Sequence, residues 1–146
     1  MKKTLTTFAL LAASHLQPLY AHSGGATLGE DGLNASATGL VRITCFDDGN
    51  GEPAKLTMRI IDHSEPVEGL LISAQLYKGL MATNVTDQIS GDADYSEGVE
   101  LSAGPGVYRL ILNKTAAGPR RFDVEWHCKT ADDIHTGTEI IVDQFQ

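Results

Sequence analysis

Four of the five histidines, His22, His63, His127 and His135, lie beyond residue 21 and carry most of the potential for metal chemistry. No H-x-H, H-x3-H or C-x-x-C spacing joins them, so the sequence has no zinc-site pattern. His22 is the sharpest of the four. It follows Leu19-Tyr20-Ala21, a tripeptide with residues that a signal peptidase accepts, and cleavage after Ala21 would make it the mature N-terminus. Its α-amine and imidazole would then chelate one Cu(II), an ion that favours tetragonal nitrogen donors. His63, at a strand end, and His135, in the last loop, are the expected second ligands. His127 projects from a strand face beside Asp123 and Glu125 and would meet metal only on an open surface. Cleavage after Ser23 would delete His22. Met58 and Met81 are the only methionines beyond the leader, which counts against a Cu(I) site.

Carboxylates form two further groups. Asp47-Asp48-Gly49-Asn50-Gly51-Glu52 offers hard oxygen donors, but its Asp-Gly and Asn-Gly pairs read as a turn rather than a calcium loop. The acidic stretch at residues 87–98 contains Asp87, Asp92, Asp94, Tyr95 and Glu97 and has no useful periodicity. A long loop of this kind in a small β domain is expected to be a protein-contact surface. No catalytic residues are assigned. Neither G-x-S-x-G nor H-E-x-x-H occurs, and pairing of the two cysteines leaves no thiol nucleophile. The sequons at Asn34, Asn84 and Asn113 are read as chance matches in a bacterial chain.

Residues 1–21 read as a secretory signal peptide. Lys2 and Lys3 precede a short apolar run over residues 8–16, and Pro18 stands just before the cleavage frames. The run is too short to span a bilayer, and no second run reaches that length. The chain has 19 Asp+Glu against 11 Lys+Arg, a formal net charge of −8, and losing Lys2 and Lys3 would make it more acidic. Phosphate backbones repel such a surface, so nucleic acid is excluded as a partner. Two cysteines in an exported chain imply one disulfide, Cys45–Cys128, and the Lys-Lys leader points to the periplasm of a Gram-negative cell.

The elements that would position these residues alternate apolar and polar with period two. Residues 38–46 put Val41, Ile43 and Cys45 on one face, and residues 55–62 do the same with Leu56, Met58 and Ile60. These two are expected to pair as a hairpin. Residues 70–77, 80–86 and 99–102 are further strands. Tyr108, Leu110 and Leu112 share a face, and Ala117-Gly118-Pro119 leads to Phe122, Val124, Trp126 and Cys128 on one face, an expected second hairpin. Residues 138–145 form the last strand. Both cysteines fall on inward faces without having been used to set the pattern. Seven to eight short strands and no helix argue an all-β antiparallel sandwich, immunoglobulin-like or jelly-roll, over residues 38–146. The Gly- and Ser-rich residues 22–37 read as a flexible arm or a loosely held first strand.

Gly106-Val107-Tyr108 at a strand start resembles the tyrosine corner of immunoglobulin-like and fibronectin-type sandwiches, which implies a hydroxyl bonded to upstream backbone. Together these features predict a non-enzymatic periplasmic binding or accessory module that presents loops to a protein or small ligand. The alternative is a copper-binding protein built on His22.

Overall fold

The strands follow the period-two pattern of apolar residues. A computed structural model describes residues 22–146, and the leader expected at residues 1–21 lies outside them. The described strands are β1 (His22–Leu28), β2 (Thr38–Phe46), β3 (Lys55–Asp62), β4 (Ile72–Lys78), β5 (Met81–Thr86), β6 (Val99–Leu101), β7 (Gly106–Lys114), β8 (Arg120–Lys129) and β9 (Gly137–Gln144). They form two antiparallel sheets in sandwich-like packing, one ordered β1-β8-β3-β6 and the other β5-β4-β7-β2-β9. Pairing is nested: β1 joins β8, β2 joins β7, β3 joins β6 and β4 joins β5, while β9 extends the second sheet beside β2. No helix among the described residues is long and apolar enough to cross a membrane.

Both expected hairpins are corrected. β2 pairs with β7 and β9, and β3 pairs with β8 and β6, so the turn between β2 and β3 carries the chain from one sheet to the other. The step from β7 to β8 does the same. Consecutive strands with inward apolar faces fit side by side or stacked across a core, and alternation reads the same either way. The corner before β8 uses Gly118 at φ 125°, a conformation that disfavours side chains, and a Cβ there would lie 2.5 Å from Leu70 Cδ2.

Of the two readings of residues 22–37, a flexible arm and a loosely held first strand, the structure has the strand over residues 22–28. Residues 22–28 are the edge strand β1, in register with β8 from His22↔Trp126 to Leu28↔Arg120. Backbone pairing needs no large side chains, so a Gly- and Ser-rich segment can be held by its ladder while contributing only Leu28 to the core. Ala37 is buried as well, so the packed domain includes residues ahead of Thr38.

Inward residues of both sheets fill the core, among them Ile43, Leu76, Tyr108 and Leu110 from one and Leu56, Met58, Ile60 and Val124 from the other. The Cys45–Cys128 disulfide links β2 to β8 across the layers, with Cα atoms 5.5 Å apart and 83 residues between its ends. Closing so long a loop stabilises by about 4 kcal/mol on the chain-entropy account. The Tyr108 hydroxyl donates to the Gly104 carbonyl at 2.7 Å, as the tyrosine corner implies.

Polar groups hold the lower end of the sandwich. Asp62 and Arg120 are buried and ion-paired at 3.3 Å. Asp62 also accepts from Ser90 Oγ and Ser64 N, and its own N–H donates to Asp87 at 2.6 Å. This network ties the start of the 87–98 loop to β3 and β8.

Candidate functional site

A cleft opens between the edge strands β1 and β9. It arises from missing volume. The inward positions of β1 after His22 are Gly24 and Ala26, opposite Val124 and Phe122 of β8. Across the gap, β9 presents Ile140 and Val142, and Phe145 follows the strand. With only a hydrogen and a methyl above them, these residues are not covered by any of the described residues. Val142 stays 59% exposed although it lies on the inward face beside Val41. The cleft has a volume of about 560 Å³, and Leu110, Leu112 and Trp126 also line it. His22 and Ser23 line it as well, and among the described residues no Asp, Glu, Lys or Arg does.

β1 lies so close to β8 that residue 25 must be glycine. A Cβ there would lie 1.7 Å from Asp123 Oδ1 and 2.3 Å from the Phe122 carbonyl oxygen. Trp126 lies under β1, with its ring edge 3.3 Å from where a Gly24 Cβ would stand. The indole N–H of Trp126 is buried without a hydrogen-bond partner.

Beside the cleft rim, three imidazoles gather at one end of the β1–β8 pair. The His22 and His127 ring centroids are 6.4 Å apart, and those of His127 and His135 are 4.3 Å apart. β8 places His127. A β-bridge between Lys129 and His135 folds the last loop back so that His135 lies over it. A carboxylate accepts hydrogen bonds, so the 3.0 Å contact from His127 Nε2 to Glu125 Oε1 puts the ring proton on Nε2. His127 Nδ1 then bears the lone pair, and it is buried with no partner. Glu125 is fixed in turn by a two-point contact with Arg59, at 2.8 and 3.1 Å. That contact, above all, holds its carboxyl below the usual range. Burial pushes the His127 pKa down against the pull of Glu125. Burial lowers His135 too, with His127 adding to the effect.

His63, expected as a ligand, is elsewhere. Its Nε2 lies 2.9 Å from Asp123 Oδ2. Asp123 is four residues from His127 along β8, roughly 13 Å at about 3.3 Å per residue. Of the expected set, His22 and His135 are brought to one end of the sheet and His63 is not. His127, read from sequence as a bystander, lies between them. As the side chains stand, no group of three His, Cys, Asp or Glu among the described residues is arranged to hold a metal ion.

The expected contact loop divides. Asp87 is buried and accepts from the Asp62 and Ile89 N–H groups, so it belongs to the structural network rather than to a surface. Asp92, Asp94 and Glu97 are exposed, and Tyr95 lies beneath the Arg59 guanidinium at 4.3 Å. Asp47 accepts from the Gly49 and Gly51 N–H groups, and Asp48 from that of Asn50, so these carboxylates serve their own turn.

The cleft was not read from sequence. Its signal was present, however, in the unbroken run of small residues at 23–26 and in a last strand apolar on both faces at Ile140, Ile141 and Val142. No protein-family model matches the chain, no curated protein is similar to it, and no solved structure matches it.

Proposed function

We propose that this chain is an exported, non-enzymatic binding module that takes a small apolar ligand in the cleft between β1 and β9. The observation that carries the reading is the uncovered inward face of β9. A sandwich gains stability by burying such a face, and Gly24 and Ala26 leave it open over a volume typical of small-ligand sites. The uncharged lining favours an apolar molecule over an anion or cation.

Export to the periplasm fits the leader features at residues 1–21 and a disulfide that persists in oxidising compartments. The nested strand order supports assigning the sandwich to the jelly rolls rather than to the immunoglobulin-like group. The exposed acids of the 87–98 loop, beside Ile89 at 63% exposure, suit a role toward a protein partner.

Trp126 is the only tryptophan and lines the cleft, so it reports on occupancy. Titration with the neutral probe N-phenyl-1-naphthylamine should quench Trp126 emission saturably at one site per chain. Val142→Asp, which sets a charge in the cleft at an already exposed position, should abolish that response while the far-UV spectrum stays unchanged. Equal binding by wild type and Val142→Asp, or no binding by either, would overturn the reading.

A further inference from the structure

We infer that β9 is a dimerisation edge. Two copies of the chain pair their β9 strands antiparallel about a two-fold axis at Ile141, which joins their five-stranded sheets into one. Among the described residues, four strands have a free edge: β1 and β6 in one sheet, β5 and β9 in the other. A free edge offers unpaired N–H and C=O groups to any extended chain, and edges are commonly blunted by shortness, Lys or Pro. β6 is three residues long, β1 is mostly small residues, and β5 exposes Ala82 and Asn84 along its length. β9 is eight residues long, contains no Lys or Pro, and carries Ile140, Ile141 and Val142 in succession. These three are 41%, 43% and 59% exposed.

The order of residues in β9 says what covers it. Outward from Ile141 the types match on both sides: Ile140 with Val142, Glu139 with Asp143, Thr138 with Gln144. An antiparallel pair centred on Ile141 therefore sets apolar against apolar and polar against polar, each contact occurring twice, as a two-fold interface requires. Opposite residues in such a pair share a face. Ile140 and Val142, which face the cleft, would extend the apolar row of the second copy, and the cores of both copies would stay on one side of the joined sheet.

Charge favours the same occupant. The pairing brings Glu139 opposite Asp143 of the second copy, and like charges there are unfavourable by themselves. Asp143, however, accepts from Arg42 Nε and Nη2 at 2.7 Å each, and Arg109 Nη1 lies 4.0 Å away. Each end of the paired strands thus holds two carboxylates and two guanidiniums. A foreign strand bringing its own Lys or Arg to that position would leave an excess of positive charge, so the edge suits a second copy better than a basic strand.

This inference goes beyond the ligand reading and does not rest on it, because Ile141 is not among the residues that line the cleft. Sedimentation of the whole domain across a range of concentrations tests it. A pairing of this size should give a reversible dimer with a Kd of about 1–100 μM. Ile141→Lys, which sets two ammonium groups together on the axis, should weaken association at least about tenfold. The same variant should keep the far-UV spectrum and the N-phenyl-1-naphthylamine response, so loss of the dimer and loss of the ligand site are separable. Ile141→Cys checks the register without adding charge. Its symmetry mate is directly opposite, about 4.5–5.5 Å away between Cβ atoms, and mild oxidation should link the two copies. Glu139→Cys, on the same face, has its mate roughly 13 Å away, four residues at about 3.3 Å, and should link far more slowly.

A wild type that stays monomeric up to about 1 mM would overturn the inference and leave the edge to a strand of another protein. A dimer that Ile141→Lys leaves intact, or cross-linking no faster at residue 141 than at residue 139, would overturn it as well.

Discussion

Arg120 Nη1 lies 3.3 Å from Asp62 Oδ2, and both side chains are almost wholly removed from solvent. The guanidinium also reaches the Glu65 carbonyl at 3.1 Å. Removing one partner of such a pair strands the other charge in the interior. Arg120→Met should therefore cost about 3–5 kcal/mol in chemical denaturation. The double variant Asp62→Asn/Arg120→Met should cost less than the sum of its parts, because no charge remains stranded. A strictly additive cycle would show that the two residues act independently.

Tyr108 gives a prediction with a pH signature. Its hydroxyl donates to the Gly104 carbonyl, and burial pushes its pKa above 10.0. The sign follows from linkage. Stability from this group is complete below the unfolded pKa of about 10 and is lost as pH rises through the folded value, because the unfolded chain releases the proton first. Tyr108→Phe should cost about 1 kcal/mol at neutral pH. It should also lose stability less steeply than wild type above pH ~10, as measured by urea midpoints across that range.

Gly25 is set against β8 so tightly that Gly25→Ala must move something. The Asp123 carboxylate can turn away, but the Phe122 carbonyl oxygen, 2.3 Å from the new methyl, is backbone. We expect a cost of about 1–3 kcal/mol, of the kind seen when a packed site is overfilled. Amide exchange should speed up over residues 22–28 and stay slow in β2 and β7. Unchanged protection in β1 would mean that the strand accommodates the methyl by sliding.

The disulfide prediction is simpler. Reducing Cys45–Cys128, or replacing both with Ala, should lower stability by about 2–5 kcal/mol, read as a drop in Tm. An unchanged Tm would mean that the layers hold their register without the bond.

Much of the fold was legible, and the unreadable part has a physical cause. Inward parity at Cys45 and at Phe122, Val124, Trp126 and Cys128 follows from alternation alone, and the bond between the two cysteines agrees with it. Partnership between strands does not follow, because β2 beside β3 and β2 above β3 present the same faces. β1 was legible only as one of two alternatives, because a glycine-rich ladder has no hydrophobic signal to decide between strand and arm. The buried Asp62–Arg120 pair was not legible, since nothing in the neighbours of either residue says that each will find the other 58 residues away. For the site, His22 and His135 were chosen for their chemistry and were placed at one end of a sheet. His127 was set aside because it sits on a strand face, and only tertiary structure could show a loop folding over that face.

The nested pairing of β1 with β8 and β2 with β7 has a kinetic meaning. Among the described residues, the first strand finds its sheet neighbour near the far end of the chain. Contacts so distant in sequence form slowly, because much chain must be ordered before any of them repays its entropy. A ribosome-bound chain therefore stays open until β7 and β8 have emerged. Residues 22–28 spend that interval as bare, unpaired backbone, open to any protein that reads an extended segment.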